Sequence, residues 1–283
     1  MPLIDVNGIR LHYYDNAANA ANAAGPAAPT GSGRTAPAVL LIMGSGSKGR
    51  AWHLHQVPAL VAAGLRVITF DNRGIAPSDE CAGGFGLADL IADTAALIEE
   101  LRLGPCQVVG TSMGAYVAQE LALARPELVD RLVLMATRGR ADAVRSALSR
   151  AEIELYDTDV RLPASYEAVI EAMQMLSPTT LDDDQRARDW LDLLELTRAS
   201  GPGSRAHLGI TVGSDRRTAY RAIRVPTRVI AFEDDLISPP RLGREVAEAI
   251  PGAEFEVLPD CGHYGYLEQP EAVNKSLIGF LRT

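Results

Sequence analysis

Between Ala38 and Met135, short stretches that are almost entirely apolar alternate with segments of helical spacing. The apolar or β-branched stretches are Ala38–Met43, Arg66–Phe70, Gln107–Val109 and Leu132–Met135. A strand without polar alternation has to be covered on both faces. The rhythm therefore predicts an α/β fold, a mostly parallel central sheet flanked by helices. Helices are expected at Ala51–Ala63, closed by Gly64, and at Met113–Ala124, before Pro126. A third is expected at Leu87–Leu101, where Leu87, Leu90, Ile91, Leu97, Ile98 and Leu101 share a face and Gly104-Pro105 stops the chain. Later, strand Thr227–Phe232, helix Arg241–Ile250, strand Glu254–Leu258 and helix Glu271–Leu281 resume the order. An N-terminal hairpin, Leu3–Val6 and Ile9–Tyr14, turns at Asn7-Gly8.

Two segments break the rhythm. Ala17–Thr35 is mostly Ala, Asn, Gly, Pro and Ser and reads as a long flexible connection. From Gly139 to Ser214 the sequence is amphipathic and helical without strand signals. Helices are expected there at Arg140–Leu155, Ser165–Leu176 and Leu181–Thr197, the last with Asp182, Asp183 and Asp184 where a helix N-terminus favours negative charge. The expected organisation is a core of residues 1–138 and 215–283, carrying a flexible loop at 17–35. A helical lid, residues 139–214, is inserted after the sixth strand.

Composition narrows the partners. Apolar residues make up 47% and charged residues 22%, as in a globular chain. The net charge of −9 repels phosphate backbones and anionic lipid, so neither nucleic acid nor a membrane is expected as partner. No apolar run reaches the roughly 18 residues of a membrane span. Met1-Pro2-Leu3-Ile4-Asp5 lacks the basic and apolar parts of a secretory signal. The expected setting is cytoplasmic, with a small-molecule substrate and a monomer or homodimer. Cys81, Cys106 and Cys261 are too few and scattered for a disulfide framework or a zinc site and read as reduced thiols.

Two motifs compete for function. Gly44-Ser45-Gly46-Ser47-Lys48-Gly49 fits G-x-G-x-x-G between a strand and a helix, with Asp71 at the end of the next strand. That is the context of a dinucleotide-binding loop, and also of any tight strand-to-helix turn. Gly110-Thr111-Ser112-Met113-Gly114 is G-x-S-x-G, again between a strand and a helix. Small flanking residues let a sharp turn push a serine hydroxyl out of the fold, and the helix that follows offers free N–H groups to negative charge. A serine hydroxyl is a weak nucleophile that needs a base, itself oriented by a carboxylate. Asp235 follows the strand Thr227–Phe232, and His263 follows Glu254–Leu258. Parallel strands bring both to the carboxyl edge of the sheet that carries Ser112.

On these residues the sequence resembles the α/β-hydrolase family over essentially its whole length. Gly110–Gly114 matches the family's nucleophile elbow, and Gly262-His263 its histidine loop. Phe232–Pro239 looks like its acid loop, which selects Asp235 over Asp234. Phe70-Asp71-Asn72-Arg73-Gly74 with Ser78 is similar to the family's D-x-R-G-x-G-x-S stretch, although Ala76 replaces the second glycine; Asp71 then needs no ribose. Met43-Gly44 stands where the family usually has His-Gly. The resemblance implies oxyanion donors at the backbone N–H groups of Ser45 and Met113. It implies an acyl-enzyme on Ser112 with His263 as base and Asp235 as its orienting acid, and neither metal nor organic cofactor.

The expected activity is hydrolysis of a small or medium-sized ester, thioester or lactone. The same triad serves carbon–carbon bond hydrolases and cofactor-free perhydrolases, and the fold also serves non-catalytic ligand binders. The Ala- and Arg-rich composition suggests a high-GC bacterium and a place in secondary metabolism. Met43, Gly44, Arg138, Met173, Trp190 and Tyr264 are candidate pocket residues. At helical spacing Met173 and Trp190 equally suit a core, and Arg138 and Arg140 suit either solvent or a substrate carboxylate. His12, His53, His55 and His207 have no motif around them and read as surface or structural.

Overall fold

The computed structural model describes residues 2–16, 37–158, 160–197, 202–210 and 214–283. The connection expected at Ala17–Thr35 lies outside the described residues. Eight strands form one sheet: β1 (Leu3–Val6), β2 (Ile9–Asp15), β3 (Ala38–Ile42), β4 (Arg66–Phe70), β5 (Cys106–Thr111), β6 (Val129–Met135), β7 (Thr227–Phe232) and β8 (Glu254–Leu258). Their spatial order is β1-β2-β4-β3-β5-β6-β7-β8. β1 and β2 pair antiparallel, as do β2 and β4, and every later pairing is parallel. Every residue of β3 and β5 is buried. These strands occupy the middle of the sheet, where both faces are covered, and so their sequences show no polar alternation.

Helices α1 (Gln56–Ala62), α2 (Leu87–Glu100) and α3 (Met113–Ala124) connect the early strands. The single helix expected at Ala51–Ala63 is divided. A 3-10 turn over Gly49–Leu54 ends at His55, and α1 begins at Gln56. Pro58 explains the break: it has no N–H to donate and suits only the first turn of a helix. One face of the sheet packs on α2 and α3 through residues such as Leu90, Leu97, Val117 and Leu121. The other packs on α1 and the C-terminal helix through Trp52, Leu60, Val273 and Leu277.

Between β6 and β7 the chain leaves the sheet. It forms α4 (Ala143–Tyr156), α5 (Ala164–Met175), α6 (Asp184–Thr197) and α7 (Pro202–Leu208). The start of α6 is fixed by Asp183, whose carboxylate accepts the N–H groups of Gln185 and Arg186. After β7 come α8 (Pro240–Ala249), β8 and α9 (Pro270–Leu281). Because β3, β5, β6, β7 and β8 run in one direction, the loops that follow them meet at one edge of the sheet.

Candidate active site

The sharpest turn at that edge joins β5 to α3. Ser112 sits there with φ 54° and ψ −119°, in a region that favours glycine. Its N–H donates to the Met135 carbonyl, and its carbonyl accepts from Ala115 and Tyr116 at the start of α3. The turn requires its glycines. A Cβ on Gly110 would lie 2.3 Å from the Gly114 oxygen, and one on Gly114 would lie 2.2 Å from the Ile42 oxygen.

The structure brings together the three side chains expected from sequence. His263 Nε2 lies 2.9 Å from Ser112 Oγ, and His263 Nδ1 lies 2.8 Å from Asp235 Oδ2. The other Asp235 oxygen accepts the N–H groups of Ile237 and Ser238, each at 2.8 Å. Asp235 and His263 are both buried. With Nδ1–H donated to the aspartate, Nε2 is free to accept the serine proton. Asp234 makes no such bond; partial burial and the neighbouring Glu233 hold its carboxyl above the usual carboxylate range.

Gly44 lies against Ser112, since a Cβ there would meet Ser112 Cβ at 3.3 Å. Ser45 and Met113 line a cavity of about 40 Å³ together with Ser112, Tyr116, Arg138, Arg145, His207 and Ile237. Four of the pocket candidates need correction. Met43 is a core residue: its side chain is buried and its sulfur accepts the Tyr266 hydroxyl at 3.8 Å. Trp190 stacks on Tyr264 at 6.1 Å within the cluster of Ala168, Ala172, Leu176 and Leu194. Tyr264 itself donates its hydroxyl to Glu171, at 2.6 Å, rather than facing the cavity. Met173 is 59% exposed. Trp190 of α6 packs with Ala168 and Ala172 of α5, which is what apolar helical spacing provides when two helices pack together. Arg140 is partly exposed and forms a two-point ion pair with Glu245 at 2.6 and 2.7 Å.

Three contributors carry no motif. His207 is buried: Nδ1 accepts the Gly46 N–H at 3.0 Å, and Nε2 donates to the Arg73 carbonyl at 2.7 Å. Glu268 accepts from Gly262 N through one oxygen and from Ser177 N and Oγ through the other, fastening the histidine loop to the end of α5. Arg145 enters the cavity from α4. Only the packed insertion reveals these roles.

Burial holds the His207 pKa below its ordinary value, despite the bond to Arg73 that favours the charged ring. The folded value lies below the unfolded one of about 6.5. The stability carried by the neutral ring is therefore present above that pH and lost as pH falls through the folded value. Thermal melts from pH 7 to 5 are expected to show a steeper loss for wild type than for His207→Gln. Parallel curves would show that the ring's charge has no such effect.

The end of the glycine-rich loop packs against β4. A Cβ on Gly49 would lie 2.4 Å from the Phe70 oxygen, and the Gly49 N–H donates to Asp71 Oδ1. The second Asp71 oxygen is taken by His12 at 2.7 Å. The Cys106 and Cys261 thiols are buried, each pushed up to about 12, and so are not thiolate nucleophiles. Among the described residues, no group of His, Cys, Asp and Glu side chains is arranged to hold a metal ion. Nor is any helix among them long and apolar enough to cross a membrane.

The sheet, the elbow and the loops facing it are those of an α/β hydrolase. The model of the alpha/beta hydrolase family matches residues 39–276, and the chain belongs to that family as an enzyme of the hydrolase type. Among its relatives is BpoC of Mycobacterium tuberculosis H37Rv, named as a non-heme bromoperoxidase. It is 49% identical over 247 residues, covering 87% of this chain and 94% of that protein. The BpoC crystal structure superposes with a TM-score of 0.88 at 44% identity, covering 99% of this chain and 97% of that one. A 2-hydroxy-6-oxononadienedioate/2-hydroxy-6-oxononatrienedioate hydrolase of Cupriavidus pinatubonensis is 28% identical over 266 residues, covering 89% of this chain and 88% of its own. The enol-lactonase of Burkholderia xenovorans LB400 superposes with a TM-score of 0.78 at 25% identity, with both chains fully covered.

Proposed function

We propose that this protein is a cofactor-independent serine hydrolase that cleaves a small or medium-sized ester, thioester or lactone. The observation that carries this is the unbroken chain Ser112 Oγ, His263 Nε2, His263 Nδ1, Asp235 Oδ2, with both links under 3.0 Å. Ser112 attacks the carbonyl carbon as its proton passes to His263 Nε2. Asp235 holds the imidazole and stabilises its charged form. The N–H groups of Ser45 and Met113 receive the oxyanion, each contributing about 3 kcal/mol to lowering the barrier. The imidazolium protonates the leaving group. Water, deprotonated by His263, then attacks the acyl-enzyme and releases the acid and the free serine.

Residues 139–214 serve as the lid, over a core of residues 1–138 and 215–283. Three of its residues, Arg145, His207 and Ile210, line the cavity, and Tyr264 and Glu268 tie its α5 to the histidine loop. A small soluble molecule is the substrate in this reading, and the site uses no cofactor.

The test is treatment with an uncharged fluorophosphonate, followed by intact mass. A single adduct is expected on wild type, absent in Ser112→Ala and slowed by orders of magnitude in His263→Ala. Undiminished labelling of Ser112→Ala, or none on folded wild type, rejects the reading. The likeness to BpoC supports a second activity of the same intermediate. Hydrogen peroxide in place of water would take the acyl group and leave as a peracid. Peracid formed from an acyl ester and peroxide, and lost in Ser112→Ala, would identify it.

A further inference from the structure

Resting on the reading of Ser112 as nucleophile, we propose that the cavity beside it accepts a substrate bearing a carboxylate, which seats between Arg138 and Arg145. Arg138 leaves the end of β6 and Arg145 lies in the first turn of α4. Both line the cavity that holds Ser112. Arg138 Nη1 donates to the Ile237 carbonyl and the Ser238 hydroxyl, both neutral acceptors. Its Nε is buried and has no partner. Among the described residues no carboxylate forms an ion pair with it. Among the described residues Arg145 has one counter-ion, Glu152, with 3.4 Å between Nη2 and Oε2, and its Nε is likewise buried and unpartnered.

The other nearby carboxylates are committed elsewhere. Asp142 caps α4 and pairs with Arg241, and Asp235 is held by His263 and two backbone N–H groups. Two guanidinium groups therefore share one carboxylate at the wall of a reaction cavity. Burial and repulsion from Arg145 pull the Arg138 pKa down to about 10, which still leaves it charged at neutral pH. Arg138 gives Nη1 to neutral acceptors and holds no anion among the described residues, and a carboxylate is the acceptor whose two oxygens match a guanidinium fork. Pocket arginines of this kind bind the part of the substrate that does not react, and so select it.

Butyrate and butyramide test this, because they have nearly the same shape and differ in charge. Their dissociation constants are measured by ligand-observed NMR on wild type, Arg138→Met, Arg145→Met and Arg145→Lys in low-chloride buffer. Wild type is expected to bind butyrate at least about tenfold more tightly than butyramide. The difference should vanish in both methionine variants and return in Arg145→Lys. Arg138 also braces Ile237 and Ser238, so its loss disturbs the acid loop; Arg145 pairs within its own helix and separates charge from that effect. Equal binding of the two ligands by wild type, failure to bind butyrate, or a preference that survives both methionine variants would overturn the proposal. Fluorophosphonate labelling in the same samples reports separately on Ser112, so either reading can fail alone.

Discussion

Ser112→Ala is expected to lower turnover by roughly a millionfold without lowering the melting temperature. The large kinetic effect follows from the chemistry: among the described residues no other hydroxyl bonds His263 Nε2, and both buried thiols are held protonated. The small stability effect follows from the packing. Ser112 is held through its backbone, by bonds to Met135, Ala115 and Tyr116, and its side chain faces a cavity rather than the core. His263→Ala should cost about as much, and the double variant scarcely more, because nucleophile and base act as one unit. Asp235→Asn keeps the shape but favours the wrong tautomer of the imidazole, and about ten-thousandfold is expected. Steady-state rates on a chromogenic ester, referred to folded protein, read all four. A Ser112→Ala rate within tenfold of wild type would reject the assignment.

Gly114→Ala carries the largest expected effect on stability. The added methyl would lie 2.2 Å from the Ile42 oxygen and 2.8 Å from the Met43 oxygen, and neither backbone atom can rotate away. Ile42 ends β3, which is buried throughout and paired with both β4 and β5. Relief would require α3 to move off the sheet, breaking contacts of Met113, Ala115 and Val117 with the core. A loss of about 3 kcal/mol is expected, the upper end for overpacking a dense core. For a chain of this size that is a fall of roughly 5–10 °C in the melting temperature. Differential scanning calorimetry checks it, with Gly279→Ala as control, because no atom lies within 4 Å of a Cβ at that position.

The sheet was legible because its strands are buried on both faces, which removes polar residues and leaves a simple signal. The positions of Ser112, Asp235 and His263 were legible because each sits in a short motif just after a strand. The helix break at His55 required noticing that Pro58 cannot occupy a helix interior. The cavity wall was less legible. Met173 and Trp190 have the spacing of a pocket lining, but Trp190 packs between α6 and α5 and Met173 is exposed, and telling these places apart needs the tertiary arrangement. Arg145 and His207 looked like ordinary polar residues on amphipathic helices. They reach Ser112 only because the segment between β6 and β7 folds back over the sheet edge.

The hydrogen bond from Gly46 to His207 joins the loop after β3 to a helix of the insertion. Two parts so joined share one equilibrium. A molecule that binds the donor loop and keeps it in place also holds α7 down, and anything that holds α7 down tightens that molecule's binding by the same factor. Occupancy of the site and closure over it are therefore thermodynamically reciprocal. Bound ligand should slow amide exchange along the whole of α7, and not only at His207 on the cavity wall.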